Sequence, residues 1–541
     1  MGLSDEWGVR YAQGSQEDDR SNVGNWILDN LTERRAITLI IGLFLIMSVL
    51  IAMVPYDPQT DLADAVTNDI WVEYYAEGVF SIPYDDWSYG ITQSVVVWLD
   101  GQYQVVNEKG PGHALLMVPF YLMDADYLFG PLMAGIAVLA TYMLGRRLFN
   151  WRVGAVAAVL VLTDVSVVMM WYRSYWTDAS TMSLLVLSIW LVVEANYWIN
   201  GKSLDRDGKQ RATTRQTLMA LVVAMLAGLT FGISVSTRYA TALILIPVLI
   251  YFAAFYLIRA WPSLRDRDIA SAIRSTYRVW PIMVIFVIGL ACVILPLMDY
   301  NTEYFGGPLN SGYDETTLEN FVQSGDLTDR DTSSYWDGSS LGGLTTALSN
   351  FITILPVLIA RMPFLLLAPF GIWMVQRRYP TVALLTTWIV VNFYTYLSIS
   401  WVSIYAGELS GALYEPRYFM PTIPAIAILA GIAVNGFVFG SGRGAERDRV
   451  ISRDERSQRV TMSAIVIVIL VLCSLIPSAA YFTGPQLTMD GGLPPDQGQL
   501  PDSPPHDMGG CPFGDSPVVS TVLNDIDVVS ETVGTIIGTD G

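Results

Sequence analysis

The residues of this chain that could do chemistry are a few charged positions beside long apolar runs. Asp69, Glu73 and Glu77 fall at i, i+4 and i+8, so one face of a short helix carries three carboxylates. A carboxylate takes a proton from a hydroxyl or holds a hard cation. Asp178 follows Trp171-Tyr172-Arg173-Ser174-Tyr175-Trp176-Thr177 and opens an apolar stretch. Lys109, Arg173, Arg238 and Arg417 stand within a few residues of the ends of apolar runs. At that depth a cation meets a lipid phosphate through charge-assisted hydrogen bonds. Each feature also has an ordinary reading. An acid at a helix start is a cap, an acidic helix face is solvated, and a cation pairs with a nearby acid such as Glu415 beside Arg417. The four cations taken together favour a phosphate site.

Other chemistries are excluded. His113 and His506 are the only histidines, and neither HExxH nor CxxC occurs. A metal site built on His or Cys is therefore ruled out. Any metal would be a hard divalent cation such as Mg or Mn, held by carboxylates, with Asp69 and Asp178 as the candidates. The phosphate-cradling GxxxxGK[ST] and dinucleotide GxGxxG patterns are absent, so no nucleotide is expected. A net charge of −19 argues against nucleic acid as a partner. Only three of the 31 basic residues are Lys, a composition like that of a salt-loving microbe. Three cysteines form no disulfide framework.

The elements that must position these residues are membrane helices. The chain has 541 residues, of which 52% are hydrophobic. Eleven apolar runs read as spans, at 36–54, 128–148, 153–170, 182–198, 217–235, 239–258, 281–299, 352–374, 381–399, 418–439 and 461–482. The expected fold is an all-α polytopic bundle set in a lipid bilayer. The first run lacks a small-residue cleavage site and reads as a retained anchor. Alternate connections carry 25 of the 31 basic residues, which leaves six on the other side. The positive-inside rule then puts the N-terminus in the cytoplasm and the C-terminus outside, in a multi-pass protein of the cell membrane. Three regions follow: a cytoplasmic tail (1–35), a transmembrane catalytic domain (36–483) and an acidic external tail (484–541). Of the six outer cations, Arg330 reads as solvated among acids, and Arg361 as a pair or pathway residue within the bundle.

The first long outer segment, residues 55–127, has three parts. Ile70, Trp71 and Tyr74 lie off the acidic face, as in a helix lying on a membrane surface. Val95–Leu99 and Gln102–Val106 flank Asp100-Gly101, a tight-hairpin signal. Lys109-Gly110-Pro111-Gly112 forms a stiff loop before Leu115–Met123, a run too short to cross a bilayer. If that run did cross, Arg146–Arg152 would move outside and the charge alternation would fail.

These motifs resemble a family. Tyr75-Ala76-Glu77, then Glu108-Lys109-Gly110-Pro111-Gly112, then a short run ending Pro119-Phe120-Tyr121 resemble the first outer loop of the integral-membrane GT-C glycosyltransferases, in particular the protein mannosyltransferase and aminoarabinose transferase group (family 39-like). Leu144-Gly145-Arg146-Arg147-Leu148-Phe149 is similar to the cytoplasmic end of their second span. Thr177-Asp178 is similar to their second acidic position. Tyr300-Asn301 with Phe305-Gly306-Gly307-Pro308-Leu309 and Gly312-Tyr313 is similar to their fourth outer loop (here 300–350). Trp401 and Arg417-Tyr418-Phe419-Met420-Pro421 resemble their W…RYLLPxxP segment. The relatives carry the acid a short spacer before Tyr-Ala-Glu, whereas here Trp71 holds that place and Asp69 comes two residues earlier. Asp61 and Asp64 therefore remain alternates for it. Tyr335-Trp336-Asp337-Gly338 faintly resembles the WWDYG signature of oligosaccharyltransferases, whose large C-terminal soluble domain has no counterpart here.

The resemblance implies a polyprenyl-phosphate-linked sugar donor and a glycan, surface-protein or lipid acceptor. It implies Asp69 as the base, and Asp178 as the residue that positions the acceptor or holds a divalent ion. Lys109, Arg238, Arg417 and Arg173 would bind the donor phosphate. Tyr75, Glu77, His113 and Tyr418 would line the substrate pocket. A single displacement would invert the anomeric centre. A transporter or flippase of lipid-linked glycan would instead place charges at mid-span and show internal symmetry. A catalytically inactive GT-C-like subunit is the third reading.

Overall fold

A run of some twenty apolar residues in lipid can satisfy its amides only with its own carbonyls, so it folds as a helix. The computed structural model describes residues 32–52, 63–84, 94–172, 176–200, 214–276, 280–314, 343–375, 379–398, 415–439 and 453–483. The two expected tails therefore fall almost wholly outside the described residues. The helices are α1 (Glu33–Ala52), α2 (Ala63–Ala76), α3 (Gly112–Tyr121), α4 (Phe129–Leu148), α5 (Trp151–Thr163), α6 (Val165–Tyr172), α7 (Thr177–Asn200), α8 (Thr214–Thr237), α9 (Leu245–Arg265), α10 (Ile269–Thr276), α11 (Trp280–Phe305), α12 (Gly343–Arg361), α13 (Ala368–Val375), α14 (Tyr379–Leu397), α15 (Ile423–Phe439) and α16 (Arg453–Thr483). The described chain up to residue 474 forms one compact unit.

All eleven expected spans contain helix. Among the described residues nine helices are long and apolar enough to cross a membrane, and Trp151–Thr163, Pro363–Val375 and Gln458–Cys473 are shorter. Two expected spans are interrupted. The run at 153–170 breaks at Asp164, whose extended backbone ends α5 and whose Oδ1 accepts from the Ser166 amide to start α6. The run at 352–374 begins earlier, at Gly343, and breaks at Met362-Pro363, where proline cannot donate to the preceding turn. Arg361 sits at that break, buried, and its charge acts on buried Asp164.

Helix α8 packs between α7 and α11. Gly228 and Gly289 let α8 and α11 approach closely, because a Cβ on either would run into a carbonyl of the other helix, Phe286 and Met225 respectively. Hydroxyls fix α7 against α8. Ser188 Oγ donates to the Ala227 carbonyl at 2.8 Å, Ser234 Oγ to the Thr181 carbonyl at 3.0 Å, and Thr181 Oγ1 lies 2.8 Å from Thr237 Oγ1.

The ends of the helices sort into two sides. Glu33 pairs with Arg146 at 2.6 Å, and Arg147 pairs with Glu194. These contacts bring the start of α1, the end of α4 and the C-terminal part of α7 to one side. The start of α7 and the end of α8 lie at the other.

On that other side lie the described residues of the segment expected to be external, tied there through Gly110, Gly112 and His113. Strands β2 (Ser94–Leu99) and β3 (Gln102–Asn107) form the expected hairpin, with Asp100 at φ 52° and Gly101 at φ 81° in its two-residue turn. A short strand, β1 (Ile82–Pro83), adds to β3. Val95, Val97 and Val106 on one sheet face pack against Phe305, with Tyr300 and Tyr304 beside it. The other face covers α2. There the expectation of a helix lying on lipid is corrected. Trp71 and Val72 are fully buried, the Trp71 indole donates to Ser94 Oγ at 3.2 Å, and α2 packs along α3, so its apolar face is spent on protein. Helix α3 has ten residues and is too short to span, as expected.

Candidate functional site

Asp178 lies in the first turn of α7 and is 1% exposed. Helix α8 ends at Thr237, and Arg238 follows with an extended backbone (φ −155°, ψ 108°). The Thr181–Thr237 hydroxyl contact sets the register of these helices. Asp178 is three residues from Thr181, and Arg238 directly follows Thr237. The result is an ion pair, Arg238 Nη1 to Asp178 Oδ1, at 2.6 Å. The approach is that of opposite charges, but the pair is not aligned as a hydrogen bond, so both atoms keep unused bonding capacity.

Arg417 comes from a different part of the chain. Pro421 prevents a regular α-helix in Glu415–Thr422, which winds as a 3-10 helix before α15. Buried Phe419 anchors that turn against Phe393, ring centroids 5.0 Å apart. Arg417 Nε then lies 4.0 Å from Asp178 Oδ2, so one carboxylate faces two guanidinium groups. Aromatic rings enclose both arginines. The Arg238 guanidinium lies 4.5 Å from the Tyr418 ring centre and 5.9 Å from that of Tyr396, and these two rings stack at 5.1 Å. The Arg417 guanidinium lies 5.0 Å from Tyr418 and 5.6 Å from Trp176. Cation–π contacts of this kind hold a guanidinium in place, and Arg417 Nη2 also donates to the Tyr418 hydroxyl at 3.1 Å.

The Lys109-Gly110-Pro111-Gly112 loop reaches the same place. A Cβ on Gly110 would run into the Ser236 carbonyl, and one on Gly112 into the Ser236 side chain. These glycines therefore let the loop lie directly on the end of α8, two residues before Arg238. Lys109 is buried and its amide donates to Asn107 Oδ1 at 2.9 Å. His113 Nδ1 lies 2.9 Å from Ser180 Oγ, which ties α3 to the first turn of α7. Gly312 lies against the Glu108 backbone, with no room for a Cβ between them, so the described residues up to 314 reach the stretch that leads into Lys109.

The structure thus brings together Asp178, Arg238, Arg417 and Tyr418, with Lys109 and His113 on elements directly packed against them. Other sequence candidates lie elsewhere. Tyr75 is buried, its hydroxyl has no aligned hydrogen bond, and burial pushes its phenol up. Glu77 is exposed. Asp69 is half-buried on α2 and faces Tyr121. Burial, then the charges of Glu73, Asp69, Glu77 and Asp124, raise the Tyr121 phenol above its ordinary value. Asp64 belongs to the first turn of α2. Asp61, Arg173, Arg330, Trp401 and the Tyr335-Trp336-Asp337-Gly338 stretch lie outside the described residues.

The surroundings of Asp178 do not suit a divalent cation. Among the described residues no three His, Cys, Asp or Glu side chains come together, and the two Asp178 oxygens face guanidinium groups that would repel a metal.

No protein-family model matches the chain, and no curated protein does. Solved structures do. The archaeal oligosaccharyltransferase AglB from Archaeoglobus fulgidus, in complex with an inhibitory peptide and a dolichol-phosphate, is 13% identical with a TM-score of 0.48, over 84% of this chain and 56% of that one. The same enzyme with Zn and sulfate gives 14% and 0.44, over 81% and 53%. ArnT from Cupriavidus metallidurans in the apo state gives 15% and 0.37, over 84% and 75%. Both proteins are GT-C membrane glycosyltransferases, the superfamily that the motifs resemble. This chain spans little more than half the length of the oligosaccharyltransferase. At these scores the likeness gives no residue a role, and the chemistry rests on the site itself.

Sequence reasoning missed Tyr396, which stacks on Tyr418 from the end of α14. It sits in an aromatic-rich run where nothing marks one tyrosine over its neighbours. Ser180 and Thr181 were also silent, because a hydroxyl near a helix start is ordinary until its partner on another helix is known.

Proposed function

We propose that this chain is an integral-membrane glycosyltransferase. It would take a sugar from a polyprenyl phosphate and pass it to a hydroxyl of a glycan, surface-protein or lipid acceptor outside the cell membrane. The observation that carries this reading is the meeting of Arg238 and Arg417 around Asp178 in an aromatic enclosure, with the Lys109 loop packed alongside. A phosphate is a good leaving group and needs cations rather than an acid to receive its charge. In the resting site Asp178 balances the guanidinium groups, and Arg238 Nη1, which lacks an aligned hydrogen bond, suits a phosphate oxygen. The acceptor oxygen attacks the anomeric carbon, its proton passes to a carboxylate, and the bond from that carbon to the phosphate oxygen breaks. Asp69 is the assigned base, with Asp61 and Asp64 as alternates. One displacement inverts the centre.

A second reading, transport of the lipid-linked glycan, draws on Asp164 and Arg361, an acid and a base buried within the bundle. Deleting the gene in its host and weighing surface glycans and prenyl-phosphate lipids separates the two. A transferase leaves one sugar missing while its lipid-linked donor accumulates outside. A flippase leaves the lipid-linked glycan trapped on the inner face. Unchanged glycans and lipids would defeat both.

A further inference from the structure

The connection between α9 and α11 is one of the locally basic connections of this acidic molecule. Residues 259–278 hold five arginines (259, 265, 267, 274 and 278) against two aspartates (266 and 268), in a chain whose net charge is −19. The connection's described residues, up to 276, form regular structure. Helix α9 ends in a tight turn, where the Arg267 amide donates to the Leu264 carbonyl at 3.1 Å and the Asp268 amide to the Ser263 carbonyl at 2.8 Å. Asp268 Oδ1 then accepts from the Ser271 amide at 3.0 Å and caps α10.

Two observations on this turn need an explanation. Ile269 and Ile273 are one helical turn apart on α10, and they are 66% and 61% exposed. Trp261 and Trp280, on the helices at either side, are exposed as well. The other observation is Arg267, which adopts the left-handed conformation at φ 59° just past the helix end. Where a helix ends in that conformation the residue is usually glycine, because a side chain there is strained. Strain that persists at a surface position points to a use for the side chain. Arg265 and Arg267 are both exposed, so neither charge is committed to the fold.

We propose that the 259–280 connection is a binding element for anionic phospholipid in the leaflet on the arginine-rich side. Helix α10 lies in the interface with Ile269 and Ile273 in the acyl boundary. Trp261 and Trp280 sit at headgroup level, and Arg265 and Arg267 engage headgroup phosphates. The occupant is lipid rather than protein. The connection joins two membrane-crossing helices, which keeps it at the bilayer surface, and its local positive charge complements anionic headgroups.

The test uses the full chain in nanodiscs of phosphatidylcholine with graded phosphatidylglycerol, at one salt concentration. A fluorophore on Ile273→Cys, with Cys292, Cys473 and Cys511 changed to Ser, reports depth by quenching from lipid-attached nitroxide or aqueous iodide. Nitroxide quenching that rises with phosphatidylglycerol is expected. Each arginine removed should weaken anionic-lipid affinity roughly five-fold. Arg267→Gly separates charge from structure. It relieves the backbone strain, so its melting temperature in pure phosphatidylcholine should match or exceed that of the parent chain, while its gain from phosphatidylglycerol falls. Arg267→Lys should keep that gain. The proposal is overturned if Arg265→Gln with Arg267→Gly retains full anionic-lipid affinity, or if iodide rather than lipid nitroxide quenches the label.

Discussion

Asp178 is held between two arginines and is almost completely removed from water. Taking away one member of such a pair leaves an uncompensated buried charge. Asp178→Asn and Arg238→Gln should each cost about 3–5 kcal/mol in thermal or denaturant unfolding. The double substitution should cost less than the sum, because neither charge is then stranded. Additive losses would mean that the two groups do not rely on each other. Arg417 stands farther from the carboxylate, so Arg417→Ala should lower donor affinity well beyond its effect on stability, as read by donor titration beside a melting curve. Asp69 is the complementary case, because its face is acid-rich and half open. Asp69→Asn should leave folding and donor binding intact and lower turnover by about two to four orders of magnitude, the usual worth of a positioned base. Asp61→Asn and Asp64→Asn are the controls for the two-residue displacement of the motif, and Glu73→Gln tests the stripe itself. Near-parental turnover for Asp69→Asn with a dead Asp61→Asn would move the base to Asp61.

At the scale of elements, the loop before α3 shows how backbone shape delivers a side chain. Gly110 has no room for a Cβ, because the Ser236 carbonyl occupies that space. Gly110→Ala should therefore lift the loop from α8, at a cost of about 1–3 kcal/mol. It should also reduce donor binding, because Lys109 moves with the loop. Gly42, in the middle of α1, has nothing within 4 Å of its added Cβ. Gly42→Ala should be neutral or stabilising by about 0.5–1 kcal/mol, since alanine restricts the unfolded chain. Equal effects at the two sites, measured by melting, would show that the Ser236 contact does not constrain the loop. The hairpin was legible in the sequence because Asp-Gly between β-rich runs favours the positive φ angles that its turn adopts. The burial of Trp71 was not. An acidic stripe with aromatics behind it reads the same on a bilayer or under a sheet, and only the position of Ser94 decides between them.

At the scale of the whole molecule, contacts between helix ends bear on topology. The pairing of Glu33 with Arg146, and of Arg147 with Glu194, groups basic helix ends opposite the Asp178 cluster. Reporter fusions after Arg152 and after Asp496 should accordingly report opposite sides, with the former cytoplasmic. Both on one side would break the alternation that puts the arginine cluster outside.

The sequence by itself determined the helical membrane class, the hairpin and the short α3, because these follow from run length and local turn chemistry. It also marked Arg238 and Arg417 as unusual, through their survival beside span ends on a side poor in cations, and Asp178, through its place between an aromatic-rich stretch and an apolar run. It could not bring them together. That meeting depends on the Thr181–Thr237 register of α7 against α8 and on the proline-bounded turn that carries Arg417 across the bundle. It could not place the breaks at Asp164 and Met362 either, since an apolar run reads as continuous until a buried charge or a proline ring meets its neighbours. Periodicity and charge count are local properties of a chain. Which hydroxyl meets which carbonyl on another helix is fixed only by packing.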